Sequence, residues 1–285
     1  MTGLILEGGA NRAFFSVGVM DAFMKHGINF DYIIGVSAGI SYGISFAAGQ
    51  MGRCCRIGTE FVSDKRYMGI KHMLNPKNKS YFNIDFVFHD LPNVHLPFDY
   101  ESFENYKGEI YAVVTNLKTG KAEYIPVDRD DKEWTLIKAT CALPFMFQPV
   151  EYKGNLYMDG GIADPIPVKR ALDDGCDKVV AILTRERAYE KTRGAGSVAA
   201  ARAYKKHPEF AQTLMHRHNV YQESKEYLNK LEKEGRAFII APESTKGWGR
   251  TESNPKVIKG YYDAGYSYIE SRLDEFLKFV NDQEK

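Results

Sequence analysis

Tyr32 to Met51 reads YIIGVSAGISYGISFAAGQM, in which the pentapeptide Gly35–Gly39, GVSAG, separates a strand-like apolar run from a helix-like one. The stretch carries no charge and is about long enough to cross a bilayer. Its four glycines and three serines, however, favour a turn over a membrane span. The stretch therefore predicts a buried strand at Tyr32–Gly35, a sharp turn and a buried helix at Ala38–Gln50.

Strands and helices alternate on both sides of this stretch. Upstream, the strand Leu4–Glu7 leads through EGGANRA (Glu7–Ala13) into a helix over Arg12–His26. Downstream, strands are predicted at Ile110–Thr115, Glu123–Pro126, Leu156–Met158 and Lys178–Thr184, with helices around Trp134–Cys141 and up to Asp173. Such βαβ alternation predicts an α/β fold whose mainly parallel sheet is covered by helices on both faces.

Two regions depart from this alternation. Residues 64–107 form a long excursion rich in aromatic residues, of the kind that often serves as a lid. From residue 185 the chain is mainly helical, with one long helix or a helix pair over His207–Gly235, a closing helix over Val257–Val280 and one strand at Ala237–Ala241. We therefore expect a catalytic domain at residues 1–184 and a helical region at residues 185–285 that packs on it.

Composition limits the classes of partner and compartment. The 285 residues are 44% hydrophobic and carry a formal net charge of +1, so no global charge attracts nucleic acid. The four cysteines lack metal-ligand spacing, and the first residues do not resemble a secretory signal. We expect a cytoplasmic protein that binds no metal and no nucleic acid.

Ser37 is the first candidate for chemistry. A serine in a GxSxG turn between a strand and a helix is held in a strained backbone, and the helix dipole favours the developing alkoxide. The alternative is a packing surface, because Gly35, Gly39 and Gly43 recur every four residues.

A nucleophilic serine needs a base, and no histidine follows a predicted core strand. The seven histidines fall at a helix end, in the excursion or in the late helical part: His26, His72, His89, His95, His207, His216 and His218. Asp159 in YMDGG is the better candidate, because Gly160 and Gly161 leave its carboxylate room to reach a neighbouring strand end. Taken alone, this Asp-Gly pair also fits an ordinary turn.

Three turns support a common site when they are considered together. They are the glycine turn after the first strand, GxSxG after the second strand and DGG after a later strand. The carboxyl ends of parallel strands share one edge of a sheet, where α/β proteins form ligand sites. At that edge, the amides of EGGANRA become candidates for an oxyanion hole.

The order EGGANRA, GVSAG, ATCALPFMFQPV and YMDGGIADPIPV resembles the patatin-like phospholipase family, specifically its bacterial members, over about Gly3–Thr184. The remainder, including KVIKGYYDAGYSYIE, is similar to the C-terminal region of one bacterial subgroup. The resemblance implies a three-layer α/β/α fold and a serine acyl hydrolase of lipid metabolism, of the phospholipase A, lysophospholipase or esterase type, without metal or cofactor. Its substrate would be a lipid or another ester.

The same resemblance assigns roles to individual residues. It implies a Ser–Asp dyad with Ser37 as nucleophile and Asp159 as general base. The backbone amides of the glycine turn would form the oxyanion hole, at Gly8, Gly9 and Ala10. Supporting positions would be Arg12, Gly35, Gly39, Gly160 and Gly161.

The glycine turn departs from the family pattern, which usually has glycine where Ala10 and Ala13 stand. A positive φ at Ala10 would be penalised, so a non-catalytic member that retains the fold stays an alternative. Nucleotide binding through this turn is a second alternative, although GxGxxG would need both glycines. The basic run Arg185–Lys206 is typical of a solvated face and leaves transient membrane contact open. The oligomeric state also stays open.

Overall fold

The computed structural model describes residues 1–76 and 78–281. The strands are β1 (Thr2–Leu6), β2 (Tyr32–Val36), β3 (Glu109–Asn116), β4 (Ala122–Pro126), β5 (Val150–Tyr152), β6 (Asn155–Asp159), β7 (Lys178–Ile182) and β8 (Ala237–Ile240). The α-helices are α1 (Phe14–Lys25), α2 (Ala38–Ala47), α3 (Arg53–Arg56), α4 (Ile70–Leu74), α5 (Tyr100–Asn105), α6 (Thr135–Thr140), α7 (Val168–Asp173), α8 (Ala195–Ala203), α9 (Pro208–Lys233), α10 (Pro255–Glu270) and α11 (Leu273–Asn281). The structure also contains 3-10 helices at Ala10–Ala13 and Gly160–Ile162 and π-helices at Ile57–Phe61 and Phe86–His95.

An eight-stranded mixed sheet forms the centre of the protein, with hydrogen-bonded neighbours in the order β5-β6-β3-β2-β1-β7-β8. The strand β4 pairs with one edge of β3, and β2 and β6 share the other edge, one after the other. The strands β3, β2, β1, β7 and β8 run parallel to one another, β4 and β6 run antiparallel to β3, and β5 runs antiparallel to β6. The mainly parallel sheet expected from the sequence is therefore confirmed.

Helices cover both faces of the sheet. Along β1, Leu4 and Leu6 face one apolar cluster, together with residues of α1, α2 and α10. Ile5 faces the other cluster, which includes residues of α7 and α9. Strands buried on both faces read as continuous apolar runs, which is why β1 and β2 are apolar throughout. The three-layer α/β/α arrangement is thus confirmed.

Helices α1 and α10 cross at two glycines. A Cβ atom on Gly18 would lie 2.0 Å from the carbonyl oxygen of Tyr262, and one on Gly265 would lie 1.9 Å from that of Phe15. The two backbones are therefore in direct contact, and no side chain fits between them. This crossing and the parallel pairing of β8 with β7 join the later part of the chain to the first. A domain boundary after residue 184 stays a prediction.

The closing helix expected over Val257–Val280 is two helices, α10 and α11, separated at residues 271–272. The change of direction brings Phe276 onto Phe23, with ring centroids 4.7 Å apart. The prediction of one helix was wrong because this long-range contact has no local sequence signal.

Short elements also escaped prediction. The excursion at residues 64–107 contains α4, the π-helix Phe86–His95 and α5, and the basic run contains α8. The strand β5 pairs with β6 as a hairpin and was not foreseen. These elements are too short to display a periodic apolar pattern.

Tyr32–Met51 folds as β2, a turn at Ser37 and α2, as predicted. Within residues 1–76 and 78–281, no helix combines the length and apolar character that a bilayer crossing requires.

Candidate active site

Ser37 occupies the turn between β2 and α2 with φ of 53° and ψ of −132°. A residue other than glycine in such a conformation costs about 1–3 kcal/mol, which the surrounding structure must offset. The Ser37 amide donates a hydrogen bond of 2.9 Å to Oγ1 of Thr140, and that hydroxyl donates to the carbonyl oxygen of Val113 at 2.5 Å. Buried Thr140 thus ties the strained turn to β3.

The turn is sharp because Gly39 lets α2 pass over the end of β1. A Cβ atom on Gly39 would lie 2.7 Å from the carbonyl oxygens of both Leu6 and Glu7. One on Gly35 would lie 2.9 Å from Cβ of Ile40. These glycines therefore serve the turn and close packing together, so the two interpretations of their spacing are not exclusive.

Asp159 is the last residue of β6, and the sheet register brings it to Ser37. Val36 pairs with Val113 of β3, while Asp159 pairs with the next residue, Val114. The Asp159 carboxylate accepts a hydrogen bond of 2.8 Å from the Gly161 amide, and the Ser37 hydroxyl also interacts with it. At Gly160, a Cβ atom would lie 2.1 Å from the Val113 carbonyl oxygen, so the chain can turn here only without a side chain.

Two opposing effects act on the Asp159 carboxylate. Burial raises its pKa above the usual value, because an ionised carboxylate loses hydration. The positive charge of Arg217 lowers the pKa, followed by the Ser37 hydroxyl, the Gly161 amide and the more distant Arg250. Arg217 reaches this position from α9 and donates from Nε to the Gly161 carbonyl oxygen at 2.6 Å.

The turn at Gly8, Gly9 and Ala10 presents unused amides beside Ser37. Among the described residues, these three N–H groups donate to no acceptor. Thr184 holds the turn, because its hydroxyl donates to the Gly8 carbonyl oxygen at 2.9 Å and its amide donates to Oε2 of Glu7 at 2.6 Å. These amides are therefore free to donate to a group bound in the cavity.

Ala10 adopts a positive φ of 48°. A glycine would take this conformation without a steric penalty, whereas alanine pays one. The departure from the family pattern therefore carries a conformational cost at the position where it was expected.

Two cavities meet at Ser37. The larger has a volume of about 260 Å³ and an apolar lining that includes aromatic residues from the excursion, namely Tyr67, Phe82, Phe88 and Phe98. The smaller has a volume of about 40 Å³ and is lined by the glycine turn, Asp159 and several charged side chains. Ser37, Ala10, Leu143 and Arg250 line both.

The smaller cavity gathers most of the site residues expected from the sequence. Its lining includes Gly8, Gly9, Ala10, Arg12, Ser37, Asp159 and Gly161. Gly35, Gly39 and Gly160 lie behind it and shape the backbone. No histidine belongs to the described lining of either cavity.

Sequence reasoning missed the residues that reach the site through tertiary contacts. Thr140 lies within the quoted ATCALPFMFQPV stretch, but its bond to Ser37 has no local signal. Lys191, Arg217 and Arg250 come from the later part of the chain and also line the smaller cavity. The basic run indicated Lys191 only as a member of a solvated face.

Two family models and several known proteins are similar to this chain. A family model described as "Patatin-like phospholipase" matches residues 4–172, and one described as "Domain of unknown function (DUF6363)" matches residues 207–281. The chain is 26% identical over 195 residues to "Uncharacterized protein YjjU" of Escherichia coli, covering 64% of this chain and 51% of that protein. It is 26% identical over 196 residues to "Lysophospholipase nte1" of Aspergillus niger, covering 63% of this chain and 12% of that protein.

Among solved structures, VipD from Legionella pneumophila has a similar fold. The TM-score is 0.53 at 15% sequence identity, over 96% of this chain and 67% of that one. The chain thus spans about half of YjjU and about an eighth of the fungal lysophospholipase. Because the family model covers more than half of its residues, the chain belongs to the patatin-like phospholipase family.

Proposed function

We propose that the protein is a serine acyl-ester hydrolase that acts on lipid esters through a Ser37–Asp159 dyad. The observation that carries this proposal is the convergence of three groups in one cavity: a strained serine, a buried carboxylate and unused turn amides. The family membership and the lysophospholipase names among the relatives support it.

The proposed reaction proceeds in two steps. As Ser37 Oγ attacks the ester carbonyl carbon, its proton passes to Asp159 and the tetrahedral oxyanion accepts hydrogen bonds from the glycine-turn amides. The carbon–oxygen bond to the alcohol then breaks, and Asp159 returns the proton to the leaving oxygen. In the second step, water loses a proton to Asp159 and attacks the acyl-enzyme, which releases the fatty acid and restores Ser37.

The electrostatic environment of Asp159 suits a base that alternately accepts and releases a proton. Burial raises the pKa of its carboxyl and so favours the protonated form, while the charge of Arg217 opposes this rise and favours the ionised form. The raised pKa lets the carboxyl hold the Ser37 proton until the alcohol leaves, and Arg217 supports the ionised form that begins each step.

The larger cavity offers a place for the acyl chain. Its lining is mostly apolar and includes Ser37. A hydrocarbon chain gains about 0.8 kcal/mol for each buried methylene group. The acyl chain would therefore extend into this cavity while the alcohol part remains on the other side of Ser37.

Labelling with a fluorophosphonate probe tests the proposal without a known substrate. We expect the probe to label the wild-type protein at Ser37, to leave Ser37→Ala unlabelled and to label Asp159→Asn at least about a hundredfold more slowly. Asp164→Asn is the matched control, since Asp164 is another partly buried carboxylate of the DGGIAD turn and lines neither cavity. Failure of the folded wild-type protein to react, or full labelling of Ser37→Ala, would overturn the proposal.

We also propose contact with a lipid surface through the excursion. Ile70, Leu74 and Val94 are 70%, 80% and 66% exposed, and they belong to the segment whose aromatic residues line the larger cavity. Burial of such side chains in a membrane interface is favourable. Ile70→Asp with Leu74→Asp should reduce co-sedimentation with phospholipid vesicles, while Lys205→Gln with Lys206→Gln should not. Equal sedimentation of all three proteins would contradict this contact.

A further inference from the structure

Five cationic side chains line the smaller cavity beside Ser37: Arg12, Arg185, Lys191, Arg217 and Arg250. Of the carboxylates in the described residues, two line it with them, Glu7 and Asp159. The cavity therefore has three more cations than anions, in a protein whose formal net charge is only +1. This excess is local and is not explained by composition.

These cations form no ion pair in the part of the chain that the structure describes. Among residues 1–76 and 78–281, none of the five lies within ion-pair distance of a carboxylate. Arg185 donates to the Thr245 hydroxyl at 2.8 Å, and Arg217 donates to a backbone carbonyl oxygen. Lys191 lies over the ring of Tyr221, 4.6 Å from its centroid.

Arg12 has an unused donor in a buried position. The residue is only 4% exposed, yet its Nε has no hydrogen-bond partner in the described part of the chain. A buried charged donor without a partner is costly, so native proteins seldom retain one without a use. An anion in the cavity would supply the missing acceptor.

Burial, and after it mutual repulsion, lowers the pKa of two cations of the cluster. Burial and the neighbouring Arg250 and Arg185 lower the pKa of Arg12 to about 10. Burial, then Arg217, lowers the pKa of Lys191 to about 7. Close packing of like charges destabilises the empty cavity and is relieved when an anion binds.

The position of the cavity indicates which part of a substrate it would receive. Ser37 and Ala10 line both cavities, and Asp159 lines only this one. With the acyl chain placed in the apolar cavity as proposed, this cavity receives the alcohol side of an ester bound at Ser37. A volume of about 40 Å³ holds roughly three waters, which suits one compact anionic group and excludes a hydrocarbon chain.

We propose that this cavity binds a phosphate monoester on the alcohol side of the substrate, as in a monoacylglycerol phosphate. The inference rests on the proposed hydrolase function and specifies its substrate class. A phosphate monoester carries nearly two negative charges at neutral pH and three acceptor oxygens, which match the excess charge and the guanidinium donors. A phosphocholine headgroup, by contrast, is a phosphate diester with one negative charge, and its quaternary ammonium is a cation that this cluster repels.

The inference also gives the later part of the chain a function. Lys191, Arg217 and Arg250 follow the proposed catalytic domain, and the latter two fall in the match to the domain of unknown function. These residues would set headgroup specificity, while the dyad and the turn amides perform the chemistry.

Binding of small phosphates provides a direct test. We expect calorimetry to detect saturable binding of glycerol 3-phosphate and no binding of glycerol at the same concentrations. Lys191→Gln and Arg250→Gln should each weaken that binding about tenfold or more, and Lys191→Arg should restore it. Lys205→Gln with Lys206→Gln is the control, because both lysines are exposed and lie outside the cavity. Absence of binding to the folded wild-type protein would overturn the proposal, whatever the outcome of probe labelling.

Hydrolysis of matched substrates tests the specificity. Three esters with one common acyl chain are compared: monoacylglycerol phosphate, monoacylglycerol phosphocholine and monoacylglycerol. The phosphate monoester should have the highest kcat/KM by about tenfold or more, and Lys191→Gln should reduce this preference mainly through KM. Binding of inorganic phosphate as tight as that of glycerol 3-phosphate, with equal kcat/KM for all three esters, would indicate a free-phosphate site and overturn the substrate assignment. A protein that binds glycerol 3-phosphate but is not labelled at Ser37 would retain the anion site and lose the hydrolase function.

Discussion

Val36 and Asp159 lie end to end along one side of β3, opposite the consecutive residues Val113 and Val114. The strand β2 reaches this point in the same direction as β3, whereas β6 reaches it from the opposite direction. Ser37 follows Val36 directly, so the register of the sheet itself sets the separation of the proposed nucleophile and base. A site built on paired strands holds its geometry better than one built on loops.

Thr140→Val should slow the proposed nucleophile. The substitution conserves shape but leaves the Ser37 amide and the Val113 carbonyl oxygen without their shared partner. We expect a loss of about 1–3 kcal/mol in the free energy of unfolding and a labelling rate about tenfold lower. Chemical denaturation and fluorophosphonate kinetics measure these two quantities. Thr140→Ser keeps the hydroxyl and is the control; equal labelling rates in the valine and serine variants would contradict the role of this bond.

Ala10→Gly should be tolerated or stabilising. Alanine at φ of 48° costs about 1–2 kcal/mol, whereas the greater freedom of an unfolded glycine costs about 0.5–1 kcal/mol. The thermal midpoint should therefore stay the same or rise, and labelling of Ser37 should not slow. Ala13→Gly is the matched control, because Ala13 has φ of −67° and should lose stability on substitution. A larger loss of stability in Ala10→Gly than in Ala13→Gly would show that the backbone of Ala10 is not strained.

The local parts of this site could be predicted from the sequence, because each depends on residues adjacent in the chain. The turn at Ser37 follows from GVSAG between two apolar runs, and the glycine turn follows β1 directly. The prediction of Asp159 depended on the other two features, because its Asp-Gly pair alone also fits an ordinary turn. The family resemblance then assigned the roles.

The remaining parts depend on contacts between residues far apart in sequence. Thr140 contacts Ser37 across 103 positions, and Arg217 reaches Gly161 from a helix whose apolar pattern predicts only its own burial. The sequence also does not predict that β6 pairs antiparallel with β3 at the end of β2, because the rest of the chain alternates strands and helices. Pattern arguments locate elements, but they do not determine which distant side chains share a cavity.

Asp21→Asn should remove a pH-dependent contribution to the free energy of unfolding. Burial raises the pKa of Asp21 from 3.8 to about 6, although the Gly52 amide, which donates to its Oδ2 at 3.1 Å, opposes this rise. The folded state then holds this proton more tightly than the unfolded state. The contribution of Asp21 to the free energy of unfolding is therefore greatest below about pH 4 and is lost as the pH rises through about 6. A shift of two pKa units corresponds to about 3 kcal/mol.

The asparagine variant keeps an acceptor for Gly52 and carries no charge to bury. Relative to wild type, it should therefore gain stability between pH 4 and pH 6.5. Denaturation midpoints of both proteins over this range measure the difference. Asp263→Asn on the exposed surface should reproduce the wild-type pH dependence. Parallel curves for wild type and Asp21→Asn would show that Asp21 is ionised without cost.

Arg217→Gln should move the acidic limb of the pH–rate profile to higher pH. Asp159 acts as a base only when ionised, so activity rises as pH passes its pKa. Burial raises that pKa and the charge of Arg217 opposes the rise, so removal of the charge raises the pKa further. The limb of kcat/KM for an uncharged short-chain ester should shift upward by about one pH unit or more.

Arg217→Lys retains the positive charge but not the guanidinium that donates to Gly161, so its limb should lie near the wild-type position even if its maximal rate falls. A purely structural role predicts lower rates in both variants with no shift of the limb. The position of the limb, rather than the height of the profile, therefore decides whether Arg217 controls the charge of Asp159.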